Sequence, residues 1–158
     1  MLVIAHRGAN KEAPENSWSA FEKAIEGGSD RIELDAQMTR DGIPVVIHDS
    51  SLQRVFGVAG QVQEVSFEDF KKLTLADGRP APTVAEVISQ LLSQVELNIE
   101  IKGKDLGLAG KVCELVQQCD QPDRIILSTP WAEVGEFLKE TYPDLKRACL
   151  TGFVDGLA

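Results

Sequence analysis

Strand-like and helix-like segments alternate along nearly the whole chain, and that alternation restricts the fold more than any single motif does. LVIA (2–5) reads as a strand. NSWSAFEKAIEGG (16–28) reads as a helix, with Ser17 suited to cap its start and Gly27-Gly28 to end it in a left-handed turn. RIELDAQ (31–37), LNIEIK (97–102), RIIL (124–127) and KRACL (146–150) read as further strands. Between them, TVAE opens a helix with a Thr83–Glu86 capping box. AGKVCELVQQC (109–119) places Val112, Leu115, Val116 and Cys119 on one helical face, and TPWAEVGEFLKE has Pro130 in its first turn. Repeated strand–helix units predict parallel α/β architecture with five parallel strands, to which a doubly wound sheet and a partial barrel both conform. The 158 residues correspond to one domain with room for a hydrophobic core.

One pair of runs breaks the alternation. RIELDAQ is followed within a few residues by PVVIH (44–48), whereas a parallel crossover needs a dozen or more residues. These two runs therefore form an antiparallel hairpin around TRDG. A turn centred on Arg40-Asp41 sets His48 opposite Glu33, and one centred on Asp41-Gly42 sets it opposite Asp35. In both registers the imidazole arrives beside two acids. Residues 50–81 form a less periodic insert, with a short helix expected at SFEDFKKL.

Strand alternation then sorts the polar groups. Glu33, Asp35 and Gln37 share one face of their strand, opposite Ile32, Leu34 and Ala36. In LNIEIKG, Asn98, Glu100 and Lys102 share a face in the same way. Such groups inside an apolar sheet are costly unless paired or bound to a cation. Two readings stay open at this point, an internal Glu100–Lys102 ion pair and a cluster of Glu33, Asp35 and Glu100. Three clustered carboxylates repel one another unless a cation lies among them, and all-oxygen ligation suits Mg²⁺, Ca²⁺ or Mn²⁺. His6 and Arg7 follow the first strand directly, at the carboxyl edge where α/β folds bind ligands. His6 and His48 are the only two histidines, and both end apolar strands.

Composition narrows the partners. A net charge of −9 argues against nucleic acid, while one or two local cations suffice for a small phosphorylated substrate. No apolar run approaches the ~20 residues of a membrane span, and MLVIAHRG has no leader pattern. Cys113, Cys119 and Cys149 are odd in number and read as reduced thiols in apolar surroundings, so a cytoplasmic protein is expected.

HRG, PENS, ELD followed by DGIPVVIHD, and then IEIK form an ordered set whose spacings closely resemble the glycerophosphodiester phosphodiesterases. The likeness is strong over roughly residues 3–102. IILST stands where that family usually has a serine-phenylalanine pair, and Pro130-Trp131 occupies the stretch. The resemblance implies a TIM-barrel domain, here 1–158 with 50–81 as its insert, that hydrolyses glycerophosphodiesters to an alcohol and glycerol 3-phosphate. It implies Glu33, Asp35 and Glu100 as ligands of a divalent cation and His6 and His48 as the acid–base pair. It also implies Arg7 and Lys102 on the phosphate, with Glu15 and Asn16 at the site rim. A TIM barrel has eight strands in about 250 residues, so five strands imply an incomplete barrel, truncated after KRACL at TGFVDGLA or completed by another copy of the chain. Alternatives are a non-catalytic barrel remnant that binds metal or phosphate, and a sphingomyelinase D-like phospholipase.

Overall fold

The computed structural model describes residues 1–150; TGFVDGLA lies outside them. The chain runs β1 (Ile4–His6), α1 (Trp18–Glu26), β2 (Arg31–Met38), β3 (Pro44–Val46), α2 (Gln53–Phe56), α3 (Phe67–Phe70), α4 (Val84–Leu91), β4 (Glu96–Ile101), α5 (Leu106–Gln118), β5 (Ile125–Thr129), α6 (Ala132–Thr141) and β6 (Arg147–Cys149). The parallel strands lie in the order β1-β2-β4-β5-β6, with β3 antiparallel on β2. That order never reverses, as it would in a doubly wound sheet. The apolar faces of α1, α4, α5 and α6 meet one core, where they cover Ile32, Leu34, Ala36, Leu97, Ile99, Ile101, Ile125 and Leu127. Helices on a single face and strands in sequential order are the arrangement of a (β/α) barrel, here an open one with β1 and β6 at its edges.

Several boundaries differ from the sequence expectation, each for a local reason. β1 begins at Ile4 because Val3 bonds Asp30 instead, through its amide to Oδ2 (2.7 Å) and its carbonyl to the Asp30 amide (3.0 Å). Gly27 is right-handed; the left-handed residue that ends α1 is Gly28, at φ +76°. α5 starts earlier than expected, at Leu106, because the Asp105 carboxylate accepts from the Gly107 amide (2.8 Å). Pro130 lies before α6, whose N-cap is Trp131, rather than in its first turn. Cys149 is exposed on β6, unlike buried Cys113.

The hairpin takes neither expected register. Ala36 pairs with Val46, Gln37 with Val45 and Met38 with Pro44. The loop has three residues, centred on Asp41: the Gly42 amide donates to Thr39 O, the Thr39 amide to Ile43 O, and Gly42 is left-handed at φ +83°. An odd loop shifts pairing by one, and continued to residue 48 it would set His48 opposite Leu34, away from the acids. β3 ends at Val46, and one further ladder bond follows, from the Ile47 amide to Asp35 O (3.0 Å). At the next residue Gln37 Nε2 donates to His48 O (2.8 Å).

Residues 50–81 carry α2, a single 3₁₀ turn (Val62–Glu64) and α3. They have their own core, in which Leu52, Val62, Phe70, Leu75 and Ala81 pack against Val45 and Ile47 of the hairpin arm. Ser19 Oγ donates to Asp77 Oδ2 (2.5 Å) and Arg79 pairs with Glu22 (2.9 Å), so this segment is also fastened to α1. No helix among the described residues is long and apolar enough to cross a membrane.

The turn after β1 is the tightest point. Arg7 and Gly8 are both left-handed (φ 57° and 76°), and a Cβ on Gly8 would lie 2.7–2.8 Å from Ala20 backbone and side-chain atoms of α1. Gly8→Ala is expected to lower unfolding free energy by about 2 kcal/mol or more, from steric overlap added to left-handed strain. Urea denaturation of the variant beside wild type checks it.

Candidate active site at the carboxyl edge of the sheet

Sheet register places the acids. Glu33 of β2 pairs with Asn98 of β4, and Asp35 with Glu100, so the three carboxylates occupy adjoining positions on the face that carries no helices. Oxygens of Glu33, Asp35 and Glu100 lie within 4.8 Å of one another. Asp35 is fully buried and Glu33 nearly so. Burial first, then the negative charge of Asp35, pushes the Glu33 carboxyl up to about 7.

Cations and amides from the loops after β1 and β4 meet this cluster. The Arg7 amide donates to Glu33 Oε2 (3.0 Å), and its guanidinium Nε stands 3.2 Å from Asp35 Oδ2. Lys102 continues the alternation of β4, since its amide bonds Ala36 O. Its Nζ lies 2.8 Å from Glu100 Oε1 and 3.4 Å from Asp35 Oδ1. The ion pair and the carboxylate cluster therefore coexist. Asn16 Nδ2 donates to Asp35 Oδ2 (2.8 Å), and the Asp35 amide donates back to Asn16 Oδ1 (3.3 Å). Asn16 and Arg7 are the two non-glycine residues with positive φ among those described, and the Asn16 amide donates to Arg7 O. Two left-handed residues bonded to each other, both on Asp35, are backbone strain concentrated at the cluster. Even so, Glu33 Oε1 and Asp35 Oδ1 are buried without a hydrogen-bond donor.

The two histidines have different acidic neighbours. His6 pairs in register with Glu33; its side chain is 62% exposed, with Nε2 3.8 Å from Glu33 Oε2. His48 Nδ1 lies 2.7 Å from Asp49 Oδ1, so its hydrogen-bond partner is Asp49 rather than Glu33 or Asp35. Arg54 of α2 donates from Nε to Asp49 Oδ2 (2.5 Å) and from Nη2 to Glu15 Oε1 (2.6 Å), and that oxygen also accepts from Arg7 Nη1 (3.3 Å). The Arg54 hydrogen bond holds the Asp49 carboxyl down at about 2 and, with burial opposing it, keeps Glu15 below the usual carboxylate range.

All nine residues singled out in the sequence thus belong to one edge and one connected set of contacts. Sequence reasoning missed three others. Asp49 and Arg54 sit at the start of an irregular segment with no periodic signal. Ser128, fully buried with an unpartnered Oγ, is in register with Glu100. Its alternation with Ile125 and Leu127 along β5 was a readable signal.

The family model for the glycerophosphoryl diester phosphodiesterases matches residues 6–149. The glycerophosphodiester phosphodiesterase of Caldanaerobacter subterraneus is 38% identical over 140 residues, covering 81% of this chain and 57% of that protein. The glycerophosphodiester phosphodiesterase of Agrobacterium tumefaciens superposes with a TM-score of 0.86 at 28% identity, over 93% of this chain and 65% of the other. An Oleispira antarctica phosphodiesterase, solved in complex with its product sn-glycerol-3-phosphate, gives 0.84 at 27% identity, over 93% and 64%. This chain spans about two thirds or less of the length of these relatives. By sequence and by fold, the chain belongs to the glycerophosphoryl diester phosphodiesterase family.

Proposed function

We propose that the protein hydrolyses glycerophosphodiesters to an alcohol and glycerol 3-phosphate at this edge, with a divalent cation held by Glu33, Asp35 and Glu100. The observation that carries the reading is the convergence of three carboxylates within 4.8 Å, two of them with a buried oxygen that makes no hydrogen bond, beside Arg7, Lys102 and His6. The donor set fits a hard cation: it is all oxygen and carries three potential negative charges against the nearby Arg7 and Lys102. When bound, Mg²⁺ or Ca²⁺ supplies electrostatic stabilisation of the charge that builds on the phosphoryl oxygens. The Oleispira complex with glycerol 3-phosphate supports the product class. The same reading treats 1–158 as the phosphodiesterase-like domain and 50–81 as its insert.

The chain's own groups divide the remaining work. Arg7 and Lys102 orient the phosphate and stabilise its transition-state charge, since both reach the edge from strand ends. Asp49 accepts only, so the neutral His48 ring carries its proton on Nδ1 and leaves Nε2 free to exchange one. His6, exposed beside Glu33, is the second exchanging group. One imidazole takes the proton of the attacking hydroxyl and the other gives a proton to the departing alkoxide. The attacker is water, or the glycerol's own hydroxyl, in which case water then opens the cyclic phosphate to give glycerol 3-phosphate. Glu15 and Asn16 form the rim and hold Arg7 and Asp35 in place.

Two measurements test this. The purified protein is expected to release glycerol 3-phosphate from glycerophosphocholine or glycerophosphoethanolamine with Mg²⁺ or Ca²⁺ and to stop with chelator, and His48→Ala is expected to lower kcat by about 10²–10⁴-fold. Folded, cation-binding protein without turnover would remove the hydrolase reading.

The second concerns stability in chelator. A Glu33 carboxyl raised from 4.5 to about 7 means that the folded state binds more protons than the unfolded state between those values. Stability then falls as pH rises through that window, by up to about 3 kcal/mol in total. Glu33→Gln is expected to abolish that slope, and a divalent cation to stabilise the wild type most above pH 7, as read by thermal unfolding across pH.

A further inference from the structure

We propose that Arg54 is a positioning residue that sets the proton-exchanging face of His48 and the aim of Arg7 together. The inference rests on the hydrolase reading for its kinetic consequence only. Arg54 is the one side chain among those described that touches the carboxylate partners of both groups. Its Nε holds Asp49, which faces His48 Nδ1, and its Nη2 holds Glu15, which faces Arg7 Nη1. A planar guanidinium suits this task, because its fork presents donors in two fixed directions at once.

Without Arg54, each carboxylate has a reason to move. Asp49 loses its strongest partner and is free to leave the imidazole, after which the neutral His48 ring is no longer held with its proton on Nδ1. Glu15 keeps only the 3.3 Å contact with Arg7 and can swing with that guanidinium. Arg7 would then be drawn further onto Asp35, 3.2 Å away, and off the phosphate position. Arg54 is carried by α2, whose segment is fastened to α1 through Asp77 and Arg79 and packs on the hairpin arm. The insert therefore acts as the frame from which both loops are held. No atom of Arg54 needs to touch substrate.

Glu15→Gln and Asp49→Asn separate the two arms. Asp49→Asn is expected to act mainly on kcat, through His48, and Glu15→Gln mainly on KM, through Arg7. Arg54→Ala is expected to do both, with an activity loss of about 10–100-fold, the range seen when the outer partner of an orienting group is removed. Arg54→Lys places a single point charge and should recover one arm but not both, and added guanidinium should recover both in Arg54→Ala. The readout that a merely structural role would not move is the tautomer of His48, followed by ¹⁵N NMR of the two histidine rings with His6→Asn for assignment. The Nδ1–H form should dominate in wild type and give way to a mixture in Arg54→Ala. Arg54 is half exposed, so Arg54→Ala is expected to remain folded; should it unfold, Arg54→Lys carries the same comparison. An unchanged tautomer, with kcat and KM within about twofold of wild type, overturns the proposal. A wild-type protein that turns over no glycerophosphodiester but loses the Nδ1–H form in Arg54→Ala would overturn the hydrolase reading and uphold the positioning role.

Discussion

Asp35 and Glu100 are register partners in adjacent parallel strands, and Glu33 stands two residues before Asp35 on the same face. Parallel register leaves these carboxylates no means of separating, because moving one would shift the whole ladder and turn Leu34 and Ile99 out of the core. Repulsion is thus built into the sheet, and the surroundings are arranged to contain it. Arg7 and Lys102 approach from the ends of β1 and β4, and Asn16 gives Asp35 both a donor and an acceptor. The left-handed conformations of Arg7 and Asn16 follow from the same demand, since each backbone must bend sharply to present its side chain to Asp35. Gly8 then has to be glycine for that bend to clear Ala20.

The outer face supplies the stability that this inner face withholds. Ile32, Leu34, Leu97, Ile99, Ile101, Ile125 and Leu127 are almost completely buried under four helices, each side chain contributing about 1.5–3 kcal/mol relative to exposure. The strands that hold the acids are therefore the best-anchored part of the molecule. A constellation that must keep like charges together is better placed on such strands than on loops, because sheet register fixes positions within fractions of an ångström.

What was readable in the sequence was what strict periodicity encodes. The two-residue period of RIELDAQ and LNIEIK assigns Glu33, Asp35 and Glu100 to one face without reference to any distant contact, and that face is where they lie. The hairpin was readable from its short gap, but its register was not. TRDG accommodates loops of two or three residues, and the choice fell to Gly42 adopting a left-handed conformation closed by Thr39. That single residue sets the register, and with it the position that a continued ladder would give His48. Arg54 was beyond reach for a different reason. Its partners lie at Glu15 and Asp49, and the path joining them runs through an irregular segment whose placement depends on a second core.

That second core gives the 50–81 segment a defined part in the architecture. Strand ends fix positions along the sheet, yet they do little to fix the rotation of a side chain that projects beyond the last hydrogen-bonded pair. His48 is such a side chain, two residues past the end of β3, and Arg7 is another, one residue past β1. Both need lateral contacts that the barrel strands cannot provide. Arg54 reaches the carboxylate partners of both, Asp49 and Glu15, from α2, on a segment held by Leu52, Phe70 and Leu75 at one end and by Asp77 and Arg79 at the other. The carboxylate cluster thus takes its precision from the sheet. His48 and Arg7 take theirs from the segment packed across the hairpin, so the site draws its order from two separate cores.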